Sequence, residues 1–208
     1  MDSLDAARFD RITRGGSLAS VLAGIDAARA AGLAIKTNTV VVRGENDDEL
    51  EGLVRWAWSI GATPRFIELM PLGEGARLGP ERLVPTAEIR TRLGDLVRND
   101  PPRADPDRGP ARYLASADGA HRVGLISAVS DEFCASCNRL RVTAMGELRA
   151  CLASRRAVSL RDVVRSGASD REIAWALTWA LSDKARGHAF ADVAVAEHTQ
   201  VGMSLIGG

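Results

Sequence analysis

The chain has three cysteines and no fourth: Cys134, Cys137 and Cys151 fall within eighteen of its 208 residues. An odd thiol count excludes a closed disulfide framework. The N-terminus is acidic and polar, with no apolar leader, so a reducing compartment, the cytoplasm, is the expected location. The longest apolar stretch, 173–181, is too short to span a bilayer, and no membrane partner is expected. Net charge is zero, with 27 basic and 27 acidic residues, so no global field draws in nucleic acid or an anionic surface. Any anion site must come from local clustering. Lysine is nearly absent, since only Lys36 and Lys184 interrupt an arginine-dominated set of basic residues. What remains is ordinary: 46% hydrophobic and 26% charged residues suit a globular chain with one substantial core, or one domain and an appendage.

The cysteines form Cys134-Ala-Ser-Cys137, with thirteen residues before Cys151. Three thiolates hold three irons of a [4Fe–4S] cluster and leave the fourth iron open to a ligand. A structural zinc ordinarily takes four protein ligands. Two rival readings stand beside the cluster: three unrelated buried thiols, or a Cys3His zinc site completed by His121, His188 or His198.

Hydrophobic periodicity and turn residues outline the rest. Ser17 caps a helix over 18–31 whose apolar face is Leu18, Val21, Leu22, Ile25 and Ala28. A β-branched strand, 33–42, and a turn at 44–47 lead to a second helix, capped by Asp47 or Asp48 and ending near 60. A strand follows at 64–69. This α-β-α-β order predicts parallel strands joined by crossover helices. A loop over 70–84 and a helix over 86–97 come next. The proline-rich segment 99–110 reads as a linker. A hairpin of 111–117 and 121–129, the cysteine loop, a second hairpin through Met145-Gly146, and helices starting near 159 and over 170–185 complete the reading. The tail from 187 shows no pattern.

Arg139 and Arg141 alternate onto one strand face, where their guanidiniums could grip phosphate in a bidentate fork beside the cysteines, or simply face solvent. Lys36 either points outward between helices or reaches into a barrel mouth, and Asn38 faces the same way. Met70, at a strand end, reads locally as plastic core filler. Arg65 and Glu68 bracket one strand and could pair structurally, so neither is given a catalytic role.

The run from Asp131 to Leu152 resembles the C-terminal cluster motif of the GTP 3′,8-cyclase family, radical S-adenosylmethionine (SAM) enzymes that open molybdenum cofactor biosynthesis. Asp2-Ser3-Leu4-Asp5 with Phe9 and Ile12-Thr13, Lys36-Thr37-Asn38-Thr39-Val40-Val41, the run from Arg65 to Gly73 and the terminal Gly207-Gly208 are similar too. The resemblance implies an α/β fold: an incomplete (β/α) radical SAM barrel over 1–98, a linker at 99–110, and an iron–sulfur and GTP-binding region over 111–208. It implies that Cys134, Cys137 and Cys151 hold a [4Fe–4S] cluster, that Lys36, Arg139, Leu140 and Arg141 bind GTP, that Met70 contacts SAM, and that Gly207 and Gly208 enter the active site. In the family, a SAM-derived radical removes the ribose 3′ hydrogen of GTP, and the substrate radical closes on C8 of guanine. Here the C-x3-C-x2-C run that holds the SAM cluster is missing, as is the glycine-rich segment after it. Activity is therefore expected only with a separately encoded N-terminal half. Alone, the chain is expected to be inactive, to self-associate as a homodimer or aggregate through an unpaired strand edge near 33–42, or to act as a non-catalytic iron–sulfur and GTP-binding module.

Overall fold

The computed structural model describes residues 1–99, 109–137, 139–154, 156–182, 184, 187 and 190. The chain divides into two compact units, Met1–Leu69 with Glu81–Asp131, and Met70–Pro80 with Glu132–Gly208.

The first unit opens with two capped helices. Asp5 accepts the Arg8 N–H at the start of α1 (Ala6–Thr13), an element the hydrophobic pattern did not reveal. Ser17 caps α2 (Leu18–Ala30) as expected, accepting from Ser20. The apolar face predicted for α2 is only half-covered, because no residue of that helix is fully buried. The strand β1 (Lys36–Val41) then alternates strictly, with Thr37, Thr39 and Val41 buried and Lys36, Asn38 and Val40 exposed. After it comes α3 (Leu50–Ser59). Neither Asp47 nor Asp48 caps α3, whose N-cap residue is Glu49. Asp47 instead accepts the Gly44 N–H within the preceding turn. The strand β2 (Thr63–Glu68) lies parallel to β1, with Lys36 opposite Thr63 and Asn38 opposite Arg65.

The helix expected over 86–97 is shorter. α5 (Thr86–Leu93) stops at Gly94, whose positive φ of 48° is glycine backbone, and Val97–Asn99 becomes strand β3. The predicted hairpin is present as β4 (Arg112–Ser116) and β5 (Arg122–Ile126), turned at Gly119. Its place differs from the expectation of a separate C-terminal region after 99–110. β5 runs parallel to β2, so the hairpin joins the same five-stranded sheet, in order β1-β2-β5-β4-β3. A short apolar strand shows no partner in its own sequence, so pattern alone could not say which sheet it extends. The core is Val41, Phe66, Leu114, Val123 and Leu125 from the sheet, covered by Leu50, Leu53 and Val54 of α3, Ile89 and Leu93 of α5, and Val84. The fold is thus mixed α/β with parallel strands.

β1 is an edge strand, as expected, yet part of its outer edge is occupied. The Met1 amine donates to the Asn38 carbonyl at 2.7 Å, and Asp2 accepts the Val40 N–H at 3.0 Å. Asn46, 1% exposed, straps this edge by donating to the Asp2 and Val40 carbonyls.

The second unit holds α4 (Glu74–Arg77) and a small antiparallel sheet, β6 (Arg141–Val142), β7 (Glu147–Arg149) and β8 (Val158–Ser159). The β6–β7 hairpin was expected; β8 was not. Ser159 caps α6 (Leu160–Arg165). α7 (Asp170–Ser182) begins with a reciprocal capping box: Ser169 N–H donates to Glu172, and the Glu172 N–H returns to the Ser169 hydroxyl. Leu148 of β7 and Ala176 and Ala180 of α7 are buried where these elements meet.

Candidate functional site

The cysteine loop is built by local hydrogen bonding. Cys134–Ser136 forms one 3-10 turn, closed by the Cys137 N–H on the Cys134 carbonyl at 3.1 Å. The β6–β7 hairpin turns at Gly146, with φ of 75° and its N–H on the Thr143 carbonyl at 2.9 Å. A Cβ there would meet Arg161 Cβ at 2.6 Å, so glycine is required on two counts. Arg141 pairs with Arg149 and Val142 with Leu148. The pairing ends at Arg141 and Arg149, two residues short of Arg139 and Cys151.

All three cysteines are half-buried and free of disulfides. Burial pushes the Cys134 thiol above its ordinary pKa, and the charge of Glu132 and the nearness of Cys151 and Cys137 push the same way. Burial also opposes ionisation of Cys137, but the Arg139 N–H, the Lys184 ammonium and the Arg139 guanidinium outweigh it and bring that thiol down to about 7. Among the described residues, no three His, Cys, Asp or Glu side chains converge tightly enough to hold a single metal ion. A cluster puts its thiolates on separate irons and so accepts a wider spacing. Thiol donors in mutual electrostatic reach, with cations around them, are the donor chemistry that an anionic iron–sulfur group requires. His121, one of the histidines weighed for zinc, stacks on Trp58 in the first unit at 5.3 Å. His188 and His198 lie outside the described residues.

Arg139 and Arg141 lie within electrostatic reach of the cysteines. Arg139 precedes β6, and its guanidinium sits 5.0 Å from the Phe133 ring centroid. Arg141 is half-buried; burial, then the Arg139 charge, lower its pKa, against the pull of Cys137 and Cys151. Two further residues of this unit were not singled out from sequence. Arg149 lies opposite Arg141 and reaches Glu147 at 3.1 Å, while its buried Nε has no hydrogen-bond partner among the described residues. Lys184 donates to Cys137 Sγ at 3.1 Å and to the Arg139 carbonyl at 2.9 Å. Its one sequence signal was rarity, as one of two lysines.

The first unit carries the other candidates. Lys36 and Asn38 lie on the β1 face opposite Thr37, Thr39 and Val41, which turn toward the core with α3 and α5. The reading in which Lys36 points out between helices is therefore not the one adopted. Arg65 shares that open face and donates from Nε to Asn38 Oδ1 at 2.8 Å. It does not pair with Glu68, the partner that their spacing had suggested. Glu68 alternates to the buried face, where its carboxyl accepts backbone N–H groups. Met70 begins the second unit and is half-buried. Gly207 and Gly208 lie outside the described residues.

A family model described as Molybdenum Cofactor Synthesis C matches residues 62–190, which includes all three cysteines. The chain belongs to this family. A second model, the Radical SAM superfamily, matches residues 1–57. Among curated relatives, the GTP 3′,8-cyclase of Rhodopseudomonas palustris (strain TIE-1) is 44% identical over 91% of this chain and 55% of its own length. That of Caulobacter vibrioides is 40% identical over 100% of this chain and 59% of its own. The chain thus spans little more than half the length of these relatives. No helix among the described residues is long and apolar enough to cross a membrane.

Proposed function

We propose that this chain is the substrate-side portion of a GTP 3′,8-cyclase, and that the first unit corresponds to late units of an incomplete (β/α) barrel. The observation that supports this reading is the electrostatic reach among Cys134, Cys137 and Cys151, with Arg139 acting on Cys137 and Arg141 within reach of Cys137 and Cys151. Cys134, Cys137 and Cys151 hold a [4Fe–4S] cluster, and bound there it supplies an open iron that can ligate a substrate atom. Arg139 and Arg141 grip phosphate, Leu140 contributes backbone between them, and Lys36 with Asn38 and Arg65 offers polar contacts on the open face of β1 and β2. Met70 is the SAM contact. The chain has no thiols left for a second cluster. SAM chemistry accordingly belongs to residues that carry the C-x3-C-x2-C run, which these 208 do not.

Anaerobic reconstitution with iron and sulfide tests the reading. The wild-type chain is expected to take up one cluster, to bind GTP, and to show a changed electron paramagnetic resonance (EPR) signal when GTP is added. Alone it is expected to release no 5′-deoxyadenosine from SAM, and to regain cyclisation when mixed with an N-terminal half carrying the C-x3-C-x2-C run. A colourless product, or one zinc per chain in place of iron, would overturn it.

A further inference from the structure

We infer that Lys184 is a positioning residue for the proposed cluster, its ammonium acting as a fixed outer donor to the Cys137 sulfur. The inference rests on the reading of Cys137 as a cluster ligand. The geometry is specific. One ammonium spans 47 residues of sequence to reach a sulfur and, 45 residues away, the carbonyl of Arg139. Two of its three N–H donors are thereby directed at the cysteine loop. The first bond places positive charge on a thiolate. The second holds the backbone of Arg139, two residues after Cys137 and adjacent to the Leu140-Arg141 pair that leads into β6.

A surface lysine would keep its strongly hydrated head in water. This one is half-buried, and the desolvation of its ammonium is offset by an anionic sulfur and a carbonyl. Hydrogen bonds to the sulfurs, together with net local charge, set the reduction potential of an iron–sulfur group. A donor on the Cys137 sulfur favours the more electron-rich, reduced state. Outer partners of metal ligands also support retention of the metal, and their loss typically weakens it about 10–100-fold. α7 is anchored by its capping box at one end and by burial of Ala176 and Ala180 along its length, so Lys184 approaches the loop from a braced segment.

Lys184→Met keeps the stem and removes the charge; Lys184→Arg keeps the charge and the donors. Both full-length variants are reconstituted anaerobically beside wild type, with far-ultraviolet circular dichroism to verify folding. Lys184→Met is expected to lose iron to a chelator about tenfold faster. Its remaining cluster should show a more negative midpoint potential and an altered EPR signal, and Lys184→Arg should restore most of both. Met protein without a cluster beside Arg protein with one also supports the inference. A folded, fully loaded Lys184→Met whose potential and spectrum match wild type overturns it, as does a loss that Lys184→Arg shares in full. A wild-type chain that takes up no cluster overturns the functional reading itself, a result distinct from either.

Discussion

The Glu68 carboxyl accepts the Thr86 backbone N–H at 2.7 Å, across eighteen residues and in a fully buried position. Its second oxygen takes the Val129 and Ser130 N–H groups at 2.7 and 2.8 Å, and the Ser130 hydroxyl bonds to the first. One side chain at the end of β2 therefore ties together the start of α5 and the segment following β5. Glu68→Gln can present only one oxygen, so at least one buried N–H meets another donor. The expected loss is about 2–3 kcal/mol of unfolding free energy, read as a lower urea midpoint at unchanged slope. A change under about 0.5 kcal/mol, the range of neutral surface substitutions, would show that the strap is dispensable.

Glu68 also marks the limit of what residue order conveys. The alternation of β1 and β2 was legible, because period-2 burial is written directly in Lys36–Val41 and Thr63–Glu68. The two hairpins were legible from Gly119 and Gly146. The partner of Glu68 was not, since Arg65 lies three residues away in sequence but on the opposite face of the strand. The joining of β5 to β2, and the reach of Lys184 to Cys137, are contacts between distant segments with no local signature. The β6–β7 hairpin beside the cysteines was legible for the converse reason: a hairpin is a local device whose turn residues stand together in the chain.

Glu88 should impose a pH dependence on stability. Bonds from Arg43, then Arg92, hold its carboxyl down from 4.5 to about 2 in the fold. A depressed folded pKa contributes stability that is complete above the ordinary carboxylate value and is lost as pH falls from about 5 toward 2. Glu88→Gln should therefore melt below wild type near neutrality, with the gap narrowing at pH 3. A gap constant across that range would assign the effect to packing.

Association through β1 should depend on Asp2. The Asp2 side chain covers the Val40 N–H on an edge strand, and covered edges resist pairing with another chain. Asp2→Ala uncovers that donor, and its sedimentation coefficient should rise with concentration more steeply than that of wild type. Equal behaviour of the two would direct attention to other exposed apolar residues, such as Leu33, 63% exposed.

Arg141 and Arg149 stand directly opposite one another across an antiparallel pair, an arrangement that ordinarily destabilises a sheet. Glu147 answers only part of that charge, through Arg149 Nη2, and leaves the buried Nε of Arg149 without a partner among the described residues. An anion bridging the two guanidiniums would satisfy both and relieve their repulsion. Inorganic triphosphate should therefore raise the melting temperature of the wild-type chain, by an amount that shrinks as sodium chloride is added. Arg149→Gln should lose most of that rise while keeping a comparable melting temperature in anion-free buffer, because one of two opposed charges has gone. Guanosine, which lacks phosphate, should not distinguish the two proteins. A variant stabilised by triphosphate as strongly as wild type would confine the grip to Arg139 and Arg141, and make Arg149 a support for Glu147 alone.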